Sequence, residues 1–328
     1  MIKELKLNRY ENAVFIKSVN GKANFYAKHQ RYYRLIAKSD IDMPDTTVCL
    51  SAKVFKDMVK RMELVKPEKF ILNGVLLFLT DDIENKKNAF ITVSAELPDF
   101  VSSDFESALI NADFLKKIKN TRSCVSSDER RTQIQVYHFE DESCVATDGR
   151  VLSCVKGMTQ RLLTLCDGNI FAEVFDCFNG KNSITVSKVN FNGDDYLKLD
   201  DGTTEVYTPV NSDVQFPNWK RIVPEVTSSY KSGMFNNLKR FKKLLPSLKS
   251  YCYSIDIDNG KCKTIDGIEL YEVGDVLNGY RVQSDFLTRV ADLFGDSTKC
   301  TYKVDCNDKA IIFGDLSADF MLVMPNSK

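Results

Sequence analysis

Apolar positions along the chain fall into stripes that recur at a fixed interval. Val54, Phe55, Met58, Val59 and Met62 stand at i, i+1, i+4, i+5 and i+8, the spacing of one buried face of an α-helix. Ile170, Phe171, Val174, Phe175 and Phe178 repeat that spacing 116 residues later, and Phe286, Leu287, Val290, Ala291 and Phe294 repeat it after another 116. One such stripe is an ordinary core-facing helix; three copies at one period mark an internal repeat. Each stripe is followed by segments of alternating polarity that predict hairpins. These are KFILNGVLLFLTDD and NAFITVSAELPDF after the first, the long run from Ser183 to Val210 after the second, and TYKVDCNDKAIIFGD with ADFMLVMP after the third. Asp201-Gly202 is a two-residue hairpin signal within the middle copy.

A second helix family interleaves with the first. Phe114, Leu115 and Ile118 match Met234, Phe235 and Leu238 at an offset of 120, and Asn8–Val19 is the N-terminal counterpart. Each unit then reads helix, strands, helix, strands, which predicts an α+β fold of three similar domains, each with two helices packed on antiparallel sheets. Proline-aromatic punctuation at Leu97–Phe100 and Gln215–Trp219 sets the joints, giving domains at 1–106, 107–226 and 227–328. A length of 328 residues accommodates two or three domains.

Charge adds a direction to this pattern. The chain has 45 basic and 45 acidic residues, but the basic ones concentrate. Ser51–Lys66 carries five Lys/Arg against two Asp/Glu, Asn111–Arg122 four against one, and Lys231–Lys249 six against none. Lys53, Lys56 and Lys60 lie opposite the Val54/Met58/Met62 stripe; Lys116, Lys117 and Lys119, and Lys239, Arg240, Lys242 and Lys243, are placed likewise. Helices with one face on a sheet and the other bearing Lys/Arg suit non-specific contact with phosphates. Of aromatic residues only Phe55, in the apolar stripe, and Phe241 fall among them, which disfavours stacking of single-stranded bases.

Candidate chemistry is sparse. The ten cysteines include no CxxC pair and there are two histidines, His29 and His138, so zinc spacing is absent and the thiols read as reduced core residues. No metal or cofactor is expected. Asp256–Gly260 looks like a calcium loop, but its twelfth position is Gly267 instead of Glu, so a hairpin turn is expected. Asp194-Asp195 and Asp200-Asp201 raise a metal-dependent nuclease, although adjacent turn glycines favour solvated loop ends. No phosphate-binding glycine loop occurs. The N-terminus carries charges where a secretory signal needs an apolar core, and the longest apolar runs fall far short of a membrane span; a cytoplasmic protein without membrane attachment is expected.

Three segments resemble a known family, the bacterial DNA polymerase III beta subunit or sliding clamp. VATDGRVLSCV, Val145–Val155, is similar to the family's ATDGHRLA turn. FPNWKRIVPE, Phe216–Glu225, is similar to its FPDYRRVLP segment, and FMLVMPNSK, Phe320–Lys328, to its terminal VMPMRL. The resemblance runs from about Thr46 to the end. The first 45 residues carry little of it, and that region is shorter than the family's, which implies missing strands.

The resemblance implies three domains in a crescent, closed head-to-tail with a second copy into a ring around duplex DNA. It implies a non-catalytic processivity factor that tethers DNA polymerase and clamp-loader peptides. Carried over residue by residue, the peptide pocket comprises Thr147, Gly149, Arg150 and Leu152; Pro217, Arg221 and Ile222; and Leu322, Val323, Met324 and Pro325. The family's His-Arg pair is Arg150-Val151 here, and its terminal Met-Arg-Leu is Asn326-Ser327-Lys328. The helix residues named above would face the DNA. The alternative is a chain of this fold that acts as a partner-binding decoy, motivated by the short N-terminal region.

Overall fold

A computed structural model of the chain describes residues 5–8, 11–29, 32–72, 76–79, 89–92, 97, 101–158, 164–167, 173–174, 176–178, 183–191, 193–210, 214–236, 238, 242–243, 254–258, 261–263, 269–272, 280–295, 299–304 and 310–324. The chain divides into two compact units, Met1–Leu109 with Glu173–Val210, and Ile110–Ala172 with Asn211–Lys328.

In the first unit the main sheet runs β4 (Thr47–Ser51), β1 (Ala13–Val19), β2 (Lys22–Lys28), β3 (Tyr33–Asp42), β15 (Glu205–Pro209), β14 (Asp194–Asp200), β13 (Ser183–Phe191), β8 (Val101–Asn111). A short extension of β5 (Lys69–Leu72), β6 (Leu76–Leu79) and β7 (Ala89–Phe90) leaves the end of β3. The path is two antiparallel four-stranded stretches joined where β3 meets β15, with Tyr33, Arg34 and Leu35 opposite Tyr207, Val206 and Glu205. Helix α1 (Ala52–Val65) starts where Ser51 accepts the Val54 amide at 3.3 Å and ends at Lys66 in the left-handed region. Its predicted stripe holds: Phe55, Met58 and Met62 are buried with Phe25, Phe70 and Leu50 in one core, with Val54 and Val59 at its margin.

The second unit has an eight-stranded sheet in the order β12 (Thr164–Asp167), β9 (Val136–Glu140), β10 (Ser143–Thr147), β11 (Val151–Lys156), β23 (Phe320–Val323), β22 (Ile311–Gly314), β21 (Lys299–Val304), β16 (Lys231–Asn236). A separate sheet runs β19 (Glu269–Glu272), β18 (Lys261–Lys263), β17 (Ser254–Asp258), β20 (Tyr280–Gln283). Again two four-stranded stretches join edge to edge, here at β11 and β23, where Val151, Leu152, Ser153 and Cys154 face Val323, Leu322, Met321 and Phe320. Helix α2 (Ala112–Asn120), capped by Asn111 at 2.8 Å from the Phe114 amide, packs on β11 and on α3 (Ser284–Phe294).

Three expectations are corrected. Asn8–Val19 is not a helix, because Ala13–Val19 pairs with both β2 and β4. The N-terminal region does not lack strands: β1, β2 and β3 form an unbroken antiparallel run. Lys231–Asn236 is strand β16, zipped to β21 over six residue pairs, and helical backbone appears only later, at 238 and 242–243 among the described residues. Most of the stripe at 170–178 lies outside the described residues; within them, 173–174 and 176 are helical and Val174 and Phe178 are buried. The Asp201-Gly202 hairpin forms as expected, with Gly202 at φ +85° between β14 and β15.

Candidate functional site

The segment between β10 and β11 folds on its own hydrogen bonds. Asp148 Oδ1 accepts the amides of Arg150 at 2.8 Å and Val151 at 2.9 Å. The Thr147 hydroxyl donates to Val151 O at 2.7 Å and accepts the Gly149 amide at 3.0 Å. Gly149 sits at φ +88°, and a Cβ there would collide with the Arg131 guanidinium, which donates to Asp148 O at 3.0 Å. The outer oxygen of Asp148 pairs with Arg289, which also holds Asp285 at 2.9 Å. Asp148 is thus a turn-former, spent on amides and an arginine.

Strand β23 lies against β11, and the Met324 amide extends the ladder by donating to Arg150 O at 3.0 Å. A 3-10 turn, Trp219–Ile222, followed by Pro224, closes the third side. Together these segments enclose a cavity of about 480 Å³ lined by Thr147, Gly149, Arg150, Val151, Leu152, Ile222, Pro224, Ala310, Leu322 and Met324. Leu152 and Leu322 are 2% and 3% exposed and form its floor, while Ile222 at 58% and Met324 at 40% stand exposed as walls. Exposed apolar walls over a buried apolar floor, with Thr147 and Arg150 at hand, suit a ligand that inserts hydrophobic side chains and orients by a few polar contacts.

Seven residues expected in the pocket therefore converge: Thr147, Gly149, Arg150, Leu152, Ile222, Leu322 and Met324. Pro217 and Arg221 are exposed and do not line it. Val323 is fully buried, because strand alternation turns it to the other face from Leu322. Pro325 lies outside the described residues. Of the lining residues missed, Val151 and Pro224 belong to the segments that carry the resemblance, whereas Ala310 is brought in only by the β22 hairpin and has no signal in the sequence.

Behind the turn Trp219–Ile222 lies a polar hub. Glu140, at the end of β9, accepts Trp219 Nε1 at 2.8 Å on Oε2 and Lys220 Nζ at 2.9 Å on Oε1, and His138 Nε2 lies 3.2 Å from the same Oε2. Phe216 stacks on the His138 ring at 4.8 Å and 11°. Burial pushes the Glu140 carboxyl up, but the bonds from Lys220, Trp219 and His138 outweigh it and hold it below the ordinary 4.5. Burial lowers the His138 pKa below 6.5, offset only in part by Glu140.

A larger cavity of about 990 Å³ lies on the other side of the Asp148 turn, with Arg122, Arg131, Arg150 and Arg289 interspersed with Asp128, Asp148, Asp285 and Asp292. Its mixed charge contrasts with the apolar cavity, and Arg150 borders both.

On the helices, Lys53, Lys56 and Lys60 are exposed on α1, and Lys116 and Lys119 on α2. Lys117 differs: its ammonium is 2.6 Å from Asp113 and 2.9 Å from Asp319. Lys242 pairs with Asp292 at 3.2 Å and Lys243 is exposed; Lys239 and Arg240 lie outside the described residues. Asp195 and Asp200 pair with Lys188 at 2.7 Å and Lys198 at 2.9 Å, and Asp201 caps the β14–β15 turn by accepting the Thr203 and Thr204 amides. Among the described residues no cluster of His, Cys, Asp or Glu could hold a metal ion, and no helix is long and apolar enough to cross a membrane.

No protein-family model matches the chain, and no curated protein sequence does. Solved structures do. The DNA polymerase III beta subunit of Thermotoga maritima is 16% identical, with a TM-score of 0.66 over 100% of this chain and 95% of that one. The chain has the sliding-clamp fold. A Pseudomonas aeruginosa sliding clamp bound to griselimycin is 12% identical, with a TM-score of 0.69 over 100% and 97% of the two chains. The Bacillus subtilis DNA polymerase sliding clamp gives 12%, 0.69, 96% and 91%. The clamp fold thus extends over the first 45 residues too, where the sequence resemblance is faint.

Proposed function

We propose that this clamp-fold protein is a DNA sliding clamp, a non-catalytic processivity factor that encircles duplex DNA and tethers polymerase and clamp-loader peptides. The observation that carries the reading is the convergence of Leu152, Ile222, Leu322 and Met324, from three distant chain segments, on one apolar cavity. A linear peptide with hydrophobic anchors is its natural occupant. Thr147, Gly149 and Arg150 are its polar side, and griselimycin, bound by the Pseudomonas aeruginosa clamp, is a ready probe for it.

The three-domain division supports the same reading. Residues 1–106 supply the stretch β4-β1-β2-β3 and the β5–β7 extension. Residues 107–226 supply β15-β14-β13, the second half of β8, and β12-β9-β10-β11. Residues 227–328 supply β23-β22-β21-β16 and the β17–β20 sheet. Three domains, each supplying two stretches of strands, are half of a six-domain ring, so a head-to-tail homodimer completes it, and Lys53, Lys56, Lys60, Lys116 and Lys119 are the residues proposed to meet phosphates. With the N-terminal strands in place, the decoy reading loses the feature that motivated it, and three of the four carboxylates of the nuclease reading, Asp195, Asp200 and Asp201, are engaged by lysines and turn amides.

The test is a solution mass across a dilution series, together with retention on DNA. A dimer at micromolar protein that is kept by closed circular duplex and lost after linearisation is the expected outcome. A monomer at every concentration, or equal retention on both DNAs, would overturn the proposal.

A further inference from the structure

We propose that Glu140 is a positioning residue for the apolar site, the anchor that sets the angle at which Ile222 forms its wall; this rests on reading that cavity as a partner-binding pocket. Glu140 lies outside the cavity and touches none of its ligand-facing side chains. It acts through Trp219.

Ile222 is carried on the 3-10 turn Trp219–Ile222. In that geometry residues i and i+3 eclipse, so Trp219 and Ile222 project from the same edge of the turn, and rotating one about the axis rotates the other. Ile222 is 58% exposed, so packing holds it only in part. The turn lacks a side-chain cap at Asn218, so its orientation depends on what grips it from outside. The main grip is the Glu140 carboxylate, and Asp141 takes the Lys220 ammonium a second time at 3.0 Å. Glu140 reaches across 79 and 80 residues of sequence to take the Trp219 indole N–H and the Lys220 ammonium. An ionised carboxylate only accepts, so three donors, those two and His138, converge on one group with no donor of its own to misplace. Phe216, stacked on His138, fixes the incoming end of the same segment. Trp219 also packs on the core that contains Leu152 and Leu322, the cavity floor. Floor and wall are therefore joined through one indole, and Glu140 decides where its polar edge points. Gln at 140 would keep the shape but aim an N–H₂ at donors, and would let the turn rotate.

The experiment uses the full chain and griselimycin as the probe. Trp219 is the one tryptophan of the sequence, so its emission reports on the turn without a label. E140Q is expected to shift that emission to the red, to raise its quenching by acrylamide, and to weaken griselimycin binding by about tenfold, as loss of a charged hydrogen bond would. Trp219→Phe, which keeps an aromatic ring and removes the donor together with part of the indole, is expected to weaken binding at least as much, and the double variant no further than Trp219→Phe alone. Lys220→Met is expected to bind like the parent. If E140Q leaves Trp219 emission and quenching unchanged, or binds griselimycin as the parent does, or if the two substitutions add in full, Glu140 does not act through the turn and the proposal is wrong. If E140Q fails to fold, Trp219→Phe decides: parent-like affinity overturns the proposal. A parent that does not bind griselimycin at all, with Trp219 still released by E140Q, overturns the pocket reading and the proposal with it, while the hub remains a structural contact.

Discussion

Met324 is an apolar side chain left 40% exposed beside a buried floor, where the proposed pocket would use it as an anchor. Truncating an interface anchor of this kind costs ~2 kcal/mol or more. Met324→Ala should therefore weaken binding of a polymerase-derived peptide by at least about tenfold, measured by fluorescence anisotropy, with an unchanged urea midpoint. His138 carries a different consequence. Its folded pKa is depressed by burial, with Glu140, Asp141 and Lys220 as its charged neighbours, so the unfolded chain takes up a proton that the folded chain refuses. Stability is then full above the ordinary value of 6.5 and falls as pH drops through the lower folded value. Glu140, depressed below 4.5, adds a second loss beneath that pH. Urea midpoints stepped from about pH 7.5 to about pH 5 should decline in the parent and stay level in His138→Gln. The role of Glu140 was not legible in the sequence: it sits 79 residues from Trp219, and neither residue type announces the other. Gly149 and Thr147 were legible, because a tight turn between strands restricts residue choice locally.

Elements were read well where one force acts alone. The stripes of α1 and α3 are amphipathic and nothing competes with burial, so both helices appear where the spacing puts them. Met234, Phe235 and Leu238 mimic that spacing, but Met234 and Phe235 lie on β16, where the ladder to β21 satisfies every second backbone group and overrides helix periodicity. On a strand, neighbours point to opposite faces: Phe235 is 1% exposed and Met234 is 41% exposed. Thermal unfolding should show this directly. Met234→Lys is expected within about 0.5 kcal/mol of the parent, whereas Phe235→Ala should cost ~3–5 kcal/mol. A helix burying both would make the two alike. The basic faces divide in the same way. Replacing Lys53, Lys56 and Lys60 by Ala should lower the salt slope of duplex DNA binding by up to ~0.9 per lost phosphate contact. Lys117→Ala should leave that slope unchanged, because its charge is committed to Asp113 and Asp319.

For the molecule as a whole, repetition was legible and closure was not. The 116-residue period announces several similar units, yet the edge-to-edge joints at β3–β15 and β11–β23 pair residues more than 160 positions apart, and no local pattern encodes such a partner. The β11–β23 joint also has a consequence in time. Strand β23 is inserted between β11 and β22 in the middle of its sheet, and Leu322 and Met324 complete the cavity. A chain emerging from the ribosome folds its earlier parts first, so the turn at Asp148 and the wall at Ile222 can be in place while the site is still open on one side. Binding at the proposed pocket must wait until synthesis has passed residue 324, after β1 to β22 have been made. Ribosome-bound chains stalled before β23 should fail to retain griselimycin, and chains stalled well beyond it should capture it. The proposed pocket is thereby closed to its ligand in any copy that has not yet made β23, a timing written into the order of the strands.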